Sequence, residues 1–421
     1  MSYFSITRHR CDTATLTPGD TRRRIDRLSR CGAVIFGVLS GGTALAQVDV
    51  PGREVDEAAG LRTRIAEHGL TFDVDIVADY SMVLSGGAEP RGIADRLLAQ
   101  AGVTLDTEKA LGWPGGQVFI TYQGFHGDDG SLDSGDAQVY SNIDATAFDA
   151  LYSVYYEQRL IDDQLDIKLG KMDANADFAY VNNGAAFIHS SPGFSPTILS
   201  FPSYPDPSTA VNMFWHDRRG PYLGAGVYDG ATQDGIATGT RGPATFFGPP
   251  DATFYIAEAG AVYDFAGHPG RLGIGAWHHT GIFERFDASE ADHASGTYVV
   301  LDQTLYSAAR SPRQLEGFAQ YGRVNGAVSP FSDHVGAGVT LSAPSTDRPD
   351  DAVGLMASYV VFSDAPGTDF KADYELAIEA FYAVQLGPIL RLKPDLQYIA
   401  NPGGRGLANA TVGTLRLEAS F

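Results

Sequence analysis

Beyond residue 46 the chain has no cysteine; Cys11 and Cys31 both lie before it. A mature chain without that segment has no disulfide, no thiolate metal site and no cysteine nucleophile. Long apolar runs are also lacking. No stretch after residue 46 approaches the roughly 20 consecutive apolar residues that a spanning helix needs. Charge is sparse, at 19% of residues, and positive charge is sparser, with 30 Lys and Arg against 51 Asp and Glu. Without residues 1–46 the formal charge is −25, from 48 acidic and 23 basic residues. That balance repels nucleic acid and suits loops facing solvent. No G-x-S-x-G and no H-E-x-x-H occurs.

What is present favours strands. The chain has 23 Phe, 20 Tyr and 49 Gly, a composition that suits strands and tight turns more than helices. At the N-terminus, Arg22, Arg23, Arg24, Arg27 and Arg30 precede an uncharged stretch over 31–43, and Ala44-Leu45-Ala46 follows. These features are expected to be an export signal cleaved before Gln47, with the residues ahead of Arg22 an extension. The apolar stretch is too short for a transmembrane anchor. Residues 47–68 are expected to form a short periplasmic segment whose helix spans 52–68, with Val55, Ala58, Leu61 and Ile65 on one face and Gly69 ending it.

From residue 69 the hydrophobic period is two. In 71–84, Phe72, Val74, Ile76, Ala78, Tyr80, Met82 and Leu84 form one face; Thr71, Asp73, Asp75, Asp79 and Ser81 form the other, with Val77 the exception. Strand side chains alternate between faces, so this segment is greasy on one side and acidic on the other. The pattern recurs in 164–169, 335–341, 389–398 and 414–421. In 150–159, Ala150, Tyr152, Val154 and Tyr156 oppose Leu151, Ser153, Tyr155, Glu157 and Arg159. Short turns such as Ile161-Asp162-Asp163 alternate with long polar stretches at 126–144, 182–208, 229–251 and 286–296. That layout is expected of a transmembrane antiparallel β-barrel over 69–421, all-β apart from the short N-terminal helix. A soluble β-sandwich or propeller also alternates its faces. Export, charged polar faces and a last strand running to Phe421 favour the barrel, in which every backbone group must find a partner in lipid. The length suits ~14–18 strands, usually an even number, and barrels of 16–18 strands leave an aqueous channel.

Several motifs resemble the carbohydrate-selective porins of the outer membrane (OprB-type). Thr104 to Gly116, TLDTEKALGWPGG, is similar to that family's D-x-EK-LGW segment, followed by a strand ending in Gly127. Tyr156 to Asp173, YEQRLIDDQLDIKLGKMD, is similar to its DG-L-D-I-K-x-G-R hairpin, with Lys171 where Arg is usual. Residues 394–404, PDLQYIANPGG, and the closing GTLRLEASF resemble its C-terminal region. The resemblance implies about 16 strands, periplasmic termini, inward-folded loops narrowing the pore, and passive diffusion of monosaccharides such as glucose through a polar lumen of the Gram-negative outer membrane. It implies small sugars and the lipid bilayer as partners, assembly machinery acting on the strand that ends at Phe421, and a homotrimer. Tyr122-Gln123-Gly124-Phe125 stands where the family carries charged residues, so the constriction is expected to differ there.

Parity points Glu157, Arg159, Lys168, Arg391, Lys393, Gln397 and Arg416 into the lumen, where charge sets the field and hydrogen-bonds hydroxylated solutes. The bland alternative for each is solvation of a wide lumen. Arg391 and Lys393, two cations on one face of one strand, are the strongest candidates. Segment 182–208, rich in proline and aromatics, is either an inward constriction loop setting Phe194, Phe201 and Tyr204 against sugar faces, or an external cap. Asp128, Asp129, Asp133 and Asp136 are expected to form an exposed acidic loop; their spacing does not fit the EF-hand Ca²⁺ pattern. His278 and His279 point to opposite faces of a strand and do not converge on a metal. No cofactor or metal is implied. The rival classes are a general or ion-selective porin, a barrel hydrolase, which would need a Ser/His pair or paired carboxylates at the rim, and an adhesive barrel, against which the large size argues.

Overall fold

The computed structural model describes residues 53–237, 242–249, 251–309 and 311–421. The segment read as an export signal lies outside them. Helix α1 (Arg53–Glu67) leads into β1 (Leu70–Ser85) and β2 (Ile93–Asp106). There follow β3 (Gly116–Gly127), β4 (Phe148–Leu160), β5 (Leu165–Met172), β6 (Ser208–His216), β7 (Pro221–Asp229), β8 (Thr253–Phe265) and β9 (His268–His279). A small hairpin, β10 (Phe283–Glu284) and β11 (Glu290–Ala291), interrupts the series. The last seven are β12 (Ala294–Ser307), β13 (Gln314–Val324), β14 (Phe331–Ser342), β15 (Ala352–Phe362), β16 (Tyr374–Gln385), β17 (Leu390–Ala400) and β18 (Ala410–Ser420). Apart from β10 and β11, these strands close into one 16-stranded antiparallel barrel, each paired with its neighbour in sequence and β18 with β1. The seam runs from Asp75 opposite Ser420 to Ser85 opposite Thr411. At its end the Phe421 amide donates to the Val74 carbonyl at 2.7 Å.

Alternation decides the two walls. On β1, Phe72, Tyr80 and Leu84 are exposed on the outside, while Asp79 and Ser81 are buried inside. Val77 also faces inward and packs with Leu98 and Phe125. Outward aromatics form two belts: Tyr80, Tyr255, Tyr359, Tyr374 and Tyr398 toward one end, and Phe72, Trp215, Phe265, Tyr306 and Tyr382 toward the other. Belts of this kind flank the apolar band of membrane barrels. Among the described residues no helix is long and apolar enough to cross a membrane; the strands do the crossing.

The two ends differ. The turn end carries 161–164, where Ile161, Asp162 and Asp163 all have positive φ, and the segment 107–115. There Asp106 accepts from the Glu108 and Lys109 amides and starts α2 (Thr107–Leu111), which ends on left-handed Gly112. Trp113 then donates from its indole to Gln158 at 2.8 Å. The D-x-EK-LGW stretch is thus a capped helical turn locked onto β4. The opposite end carries the long segments 128–147, 173–207, 230–252 and 280–293.

Parity fails at one place in β4. Thr121 pairs with Ser153 and Tyr122 with Leu151, so Tyr152 is an extra residue. A bulge of this kind shifts the facing of everything beyond it. Tyr152 is therefore buried inside, bonded to Asp173, and Leu151 is exposed outside, the reverse of the strict alternation expected for 150–159.

Candidate functional site

Two long segments fold into the barrel instead of capping it. Segment 173–207 crosses the interior, held by carboxylates on the wall. Asp302 on β12 accepts from the Asn182 and Asn183 amides at 3.0 and 2.9 Å. Glu379 on β16 accepts from the Ile188 and His189 amides at 2.7 and 2.9 Å. Glu258 on β8 accepts from the Ala179 amide at 3.1 Å. Segment 128–147 is held likewise: Glu375 accepts from the Ala137 and Gln138 amides at 2.9 and 3.0 Å. The segments also bond to each other, the Asn142 amide to the Ile188 carbonyl and the Ser190 amide to the Val139 carbonyl. A carboxylate that grips consecutive amides makes charge-assisted bonds of about 1.5–3 kcal/mol each. The loop's own sequence shows no strand or helix period because its backbone amides are satisfied by the wall.

This corrects the expectation of an exposed acidic loop. Asp128 and Asp129 are exposed, but Asp136 is buried. Burial pushes its carboxyl above the usual carboxylate range. Nearby, Arg96 is bonded to Asp144 and donates to Tyr140 and Ser81. Burial pushes the His189 imidazole down to about 3, so the ring adds no charge to the interior at neutral pH.

The crossing segment rests on an apolar bed. Inward-facing Phe214, Tyr222, Tyr228, Phe254, Trp277, Tyr298, Phe318 and Phe381 pack with Phe178, Phe187 and Ile198 of the segment. Several of these rings lie across glycines of the adjoining strand. A Cβ on Gly275 would stand 2.1 Å from the Tyr298 ring. Part of the interior is therefore a hydrophobic core, and the passage lies in what remains.

The structure places the parity-derived residues on the inner wall, mostly in pairs. Arg416 grips both Asp79 oxygens at 2.7 and 2.8 Å. Lys393 is buried, donating to Glu418 at 2.7 Å and to the Ala186 carbonyl at 2.9 Å. Gln397 is fully buried and donates to the Tyr140 carbonyl at 2.8 Å. Lys168 meets Asp177 at 2.6 Å and Glu157 at 3.8 Å, while Arg159 donates to Glu157 at 2.9 Å. Arg391 differs: its side chain is 44% exposed, with Glu418 3.9 Å away. Phe194 and Phe201 meet edge to face at 5.0 Å, and the Tyr204 hydroxyl donates to the Ile143 carbonyl at 2.8 Å. All three border a cavity of about 4180 Å³. It reaches Pro312, Pro349 and Pro388 at the turn end and Arg285, Lys371 and Arg405 at the loop end.

Sequence reasoning missed Glu258, Asp302, Glu375 and Glu379. Their signal was an acidic residue within one parity set of an apolar strand, as Glu375 and Glu379 share a face with Ala377 and Phe381. Outward, His278 bonds to Ser295 at 2.7 Å, while His279 is buried inside, beside Phe283.

A family model for the carbohydrate-selective porins of the OprB family matches residues 91–421. The chain belongs to the OprB family of carbohydrate-selective porins. Its place is the outer membrane of a Gram-negative bacterium. Porin B of Pseudomonas aeruginosa is 24% identical over 86% of this chain and 90% of its own length. The high-pH structure of Pseudomonas putida OprB matches 87% of this chain and 97% of that one at TM-score 0.77 and 20% identity. The low-pH structure of the same porin matches the same shares at TM-score 0.57 and 18% identity. This OprB porin thus shares their barrel.

Proposed function

We propose that this OprB porin is a passive pore for glucose-like monosaccharides, which enter between the external loops, pass the constriction left beside segment 173–207, and leave at the turn end into the periplasm. The observation that carries it is the cavity reaching from external loops to turns. Phe194, Phe201 and Tyr204 border it as apolar faces for sugar rings, and Arg391 is the wall cation open to solute. Glu157, Arg159, Lys168, Lys393, Gln397 and Arg416 act at one remove, by fixing the wall and the loop. The reading includes no catalytic step. It also includes a signal over 1–46, a periplasmic segment over 47–68, delivery to the assembly machinery through the strand ending at Phe421, and a homotrimer.

Reconstituted in planar bilayers, the protein is expected to give discrete conductance steps, and millimolar glucose to reduce the ion current. Conductance without sugar block leaves a general porin; absence of conductance overturns the pore. Arg391→Glu is expected to raise the preference for cations, read as a shift in reversal potential across a KCl gradient. An unchanged potential removes Arg391 from the conduction path.

A further inference from the structure

The charges that border the passage are unequal in number. Sixteen Asp and Glu residues line the cavity against six Arg and Lys. Two wall cations are engaged with acids, Arg416 with Asp79 and Arg271 with Glu258 at 2.5 Å, while the open Arg391 stands 3.9 Å from Glu418. Of the inner-wall cations off the cavity, Lys393 and Lys168 are bonded to Glu418 and Asp177. The remaining basic lining residues, Arg285, Lys371 and Arg405, sit in external segments. The acidic excess holds at both ends, with Asp129, Asp206 and Asp234 on the loop side and Asp73, Glu316 and Asp350 on the turn side.

Some lining acids are themselves paired, Asp144 with Arg96, Asp351 with Arg348 and Glu418 with Lys393, yet the lining stays acidic once those pairs are set aside. A protonated amine that meets an open carboxylate there makes a charge-assisted bond, where a neutral sugar hydroxyl makes an ordinary one. A narrow passage with low-dielectric walls of one sign concentrates solutes of the other sign.

We infer that this porin carries amino sugars in their protonated form better than neutral sugars, and excludes sugar acids and sugar phosphates. The inference rests on the reading of the channel as a sugar pore and extends its substrate class to cationic hydroxylated solutes. Its physical content is a sign rule set by the acidic lining of the whole lumen.

The test uses the full-length porin in liposomes. Entry of glucosamine, glucose and glucuronate is compared by mass spectrometry of the lumen contents at pH 7, below the roughly 7.7–8.0 of an ordinary α-amine. At low salt the order is expected to be glucosamine, glucose, glucuronate, with the first and last about ten-fold or more apart. In about 1 M salt, where the screening length is about 3 Å, the spread is expected to collapse toward equality. A reversal potential under a glucosamine hydrochloride gradient is expected to show glucosammonium more permeant than chloride. Equal entry of glucosamine and glucuronate at low salt, with glucose still entering, overturns the sign rule alone. Exclusion of all three overturns the sugar pore and the sign rule with it.

Discussion

Replacing Asp302 and Glu379 together with alanine is expected to raise single-channel conductance at least about two-fold, because a 16-stranded barrel without an obstruction encloses a wide aqueous channel. The two carboxylates hold four backbone amides of the crossing segment, at Asn182, Asn183, Ile188 and His189. Each amide left without a partner costs about 1–3 kcal/mol. Four such losses oppose the burial of Phe178, Phe187 and Ile198 in the apolar bed and are expected to tip the balance toward release. The segment therefore leaves the wall, and larger oligosaccharides pass in a swelling series. Asp302→Asn with Glu379→Gln separates field from geometry. It removes the same charges but keeps carbonyl acceptors, so ion selectivity shifts while conductance rises less. Wild-type conductance in the alanine double variant would show that the apolar bed alone holds the segment.

Arg416→Met is expected to destabilise the barrel by about 3–5 kcal/mol, the usual cost of stranding one partner of a buried ion pair. Asp79 has a fully buried side chain and, among the described residues, otherwise keeps only the Ser141 hydroxyl at 2.8 Å as a hydrogen-bond partner. Adding Asp79→Leu is expected to recover most of that loss, since two well-packed apolar groups replace a desolvated pair at little net cost. Urea titration of the barrel in detergent, followed by tryptophan fluorescence, reads both steps. If the single variant is as stable as the wild type, Arg416 is an open lumen charge and not a tie between β18 and β1. If it is destabilised but the double variant is no better, the loss lies in packing.

The outer wall was legible in the sequence because lipid imposes one rule on every outward position. Tyr80, Leu396 and Leu417 could be assigned from alternation alone. Inward positions answer to two masters. Where the inner wall is charged, as on β17, Arg391, Lys393 and Asp395 alternate visibly with leucines. Where it forms the apolar bed of the crossing segment, as on β6 and β7, Phe214, Tyr222 and Tyr228 are as apolar as their outward neighbours, and the period disappears. Tyr152 misled for a different reason: one inserted residue in β4 has no signature in composition, yet it reverses the facing of its neighbours. The role of Lys393 was hidden as well, because its partner Glu418 lies 25 residues away on the adjacent strand.

The carboxylates that hold the crossing segment lie on strands remote in sequence, as Asn182 and Asp302 are, or His189 and Glu379. Neither side of this joint makes sense alone. A segment grafted into another porin would present amides to a barrel with nothing to receive them, and a barrel given a foreign segment would keep acids buried against the wrong backbone. The plug and its sockets are one inheritable cassette, so chimaeras of such porins should succeed only when both halves travel together.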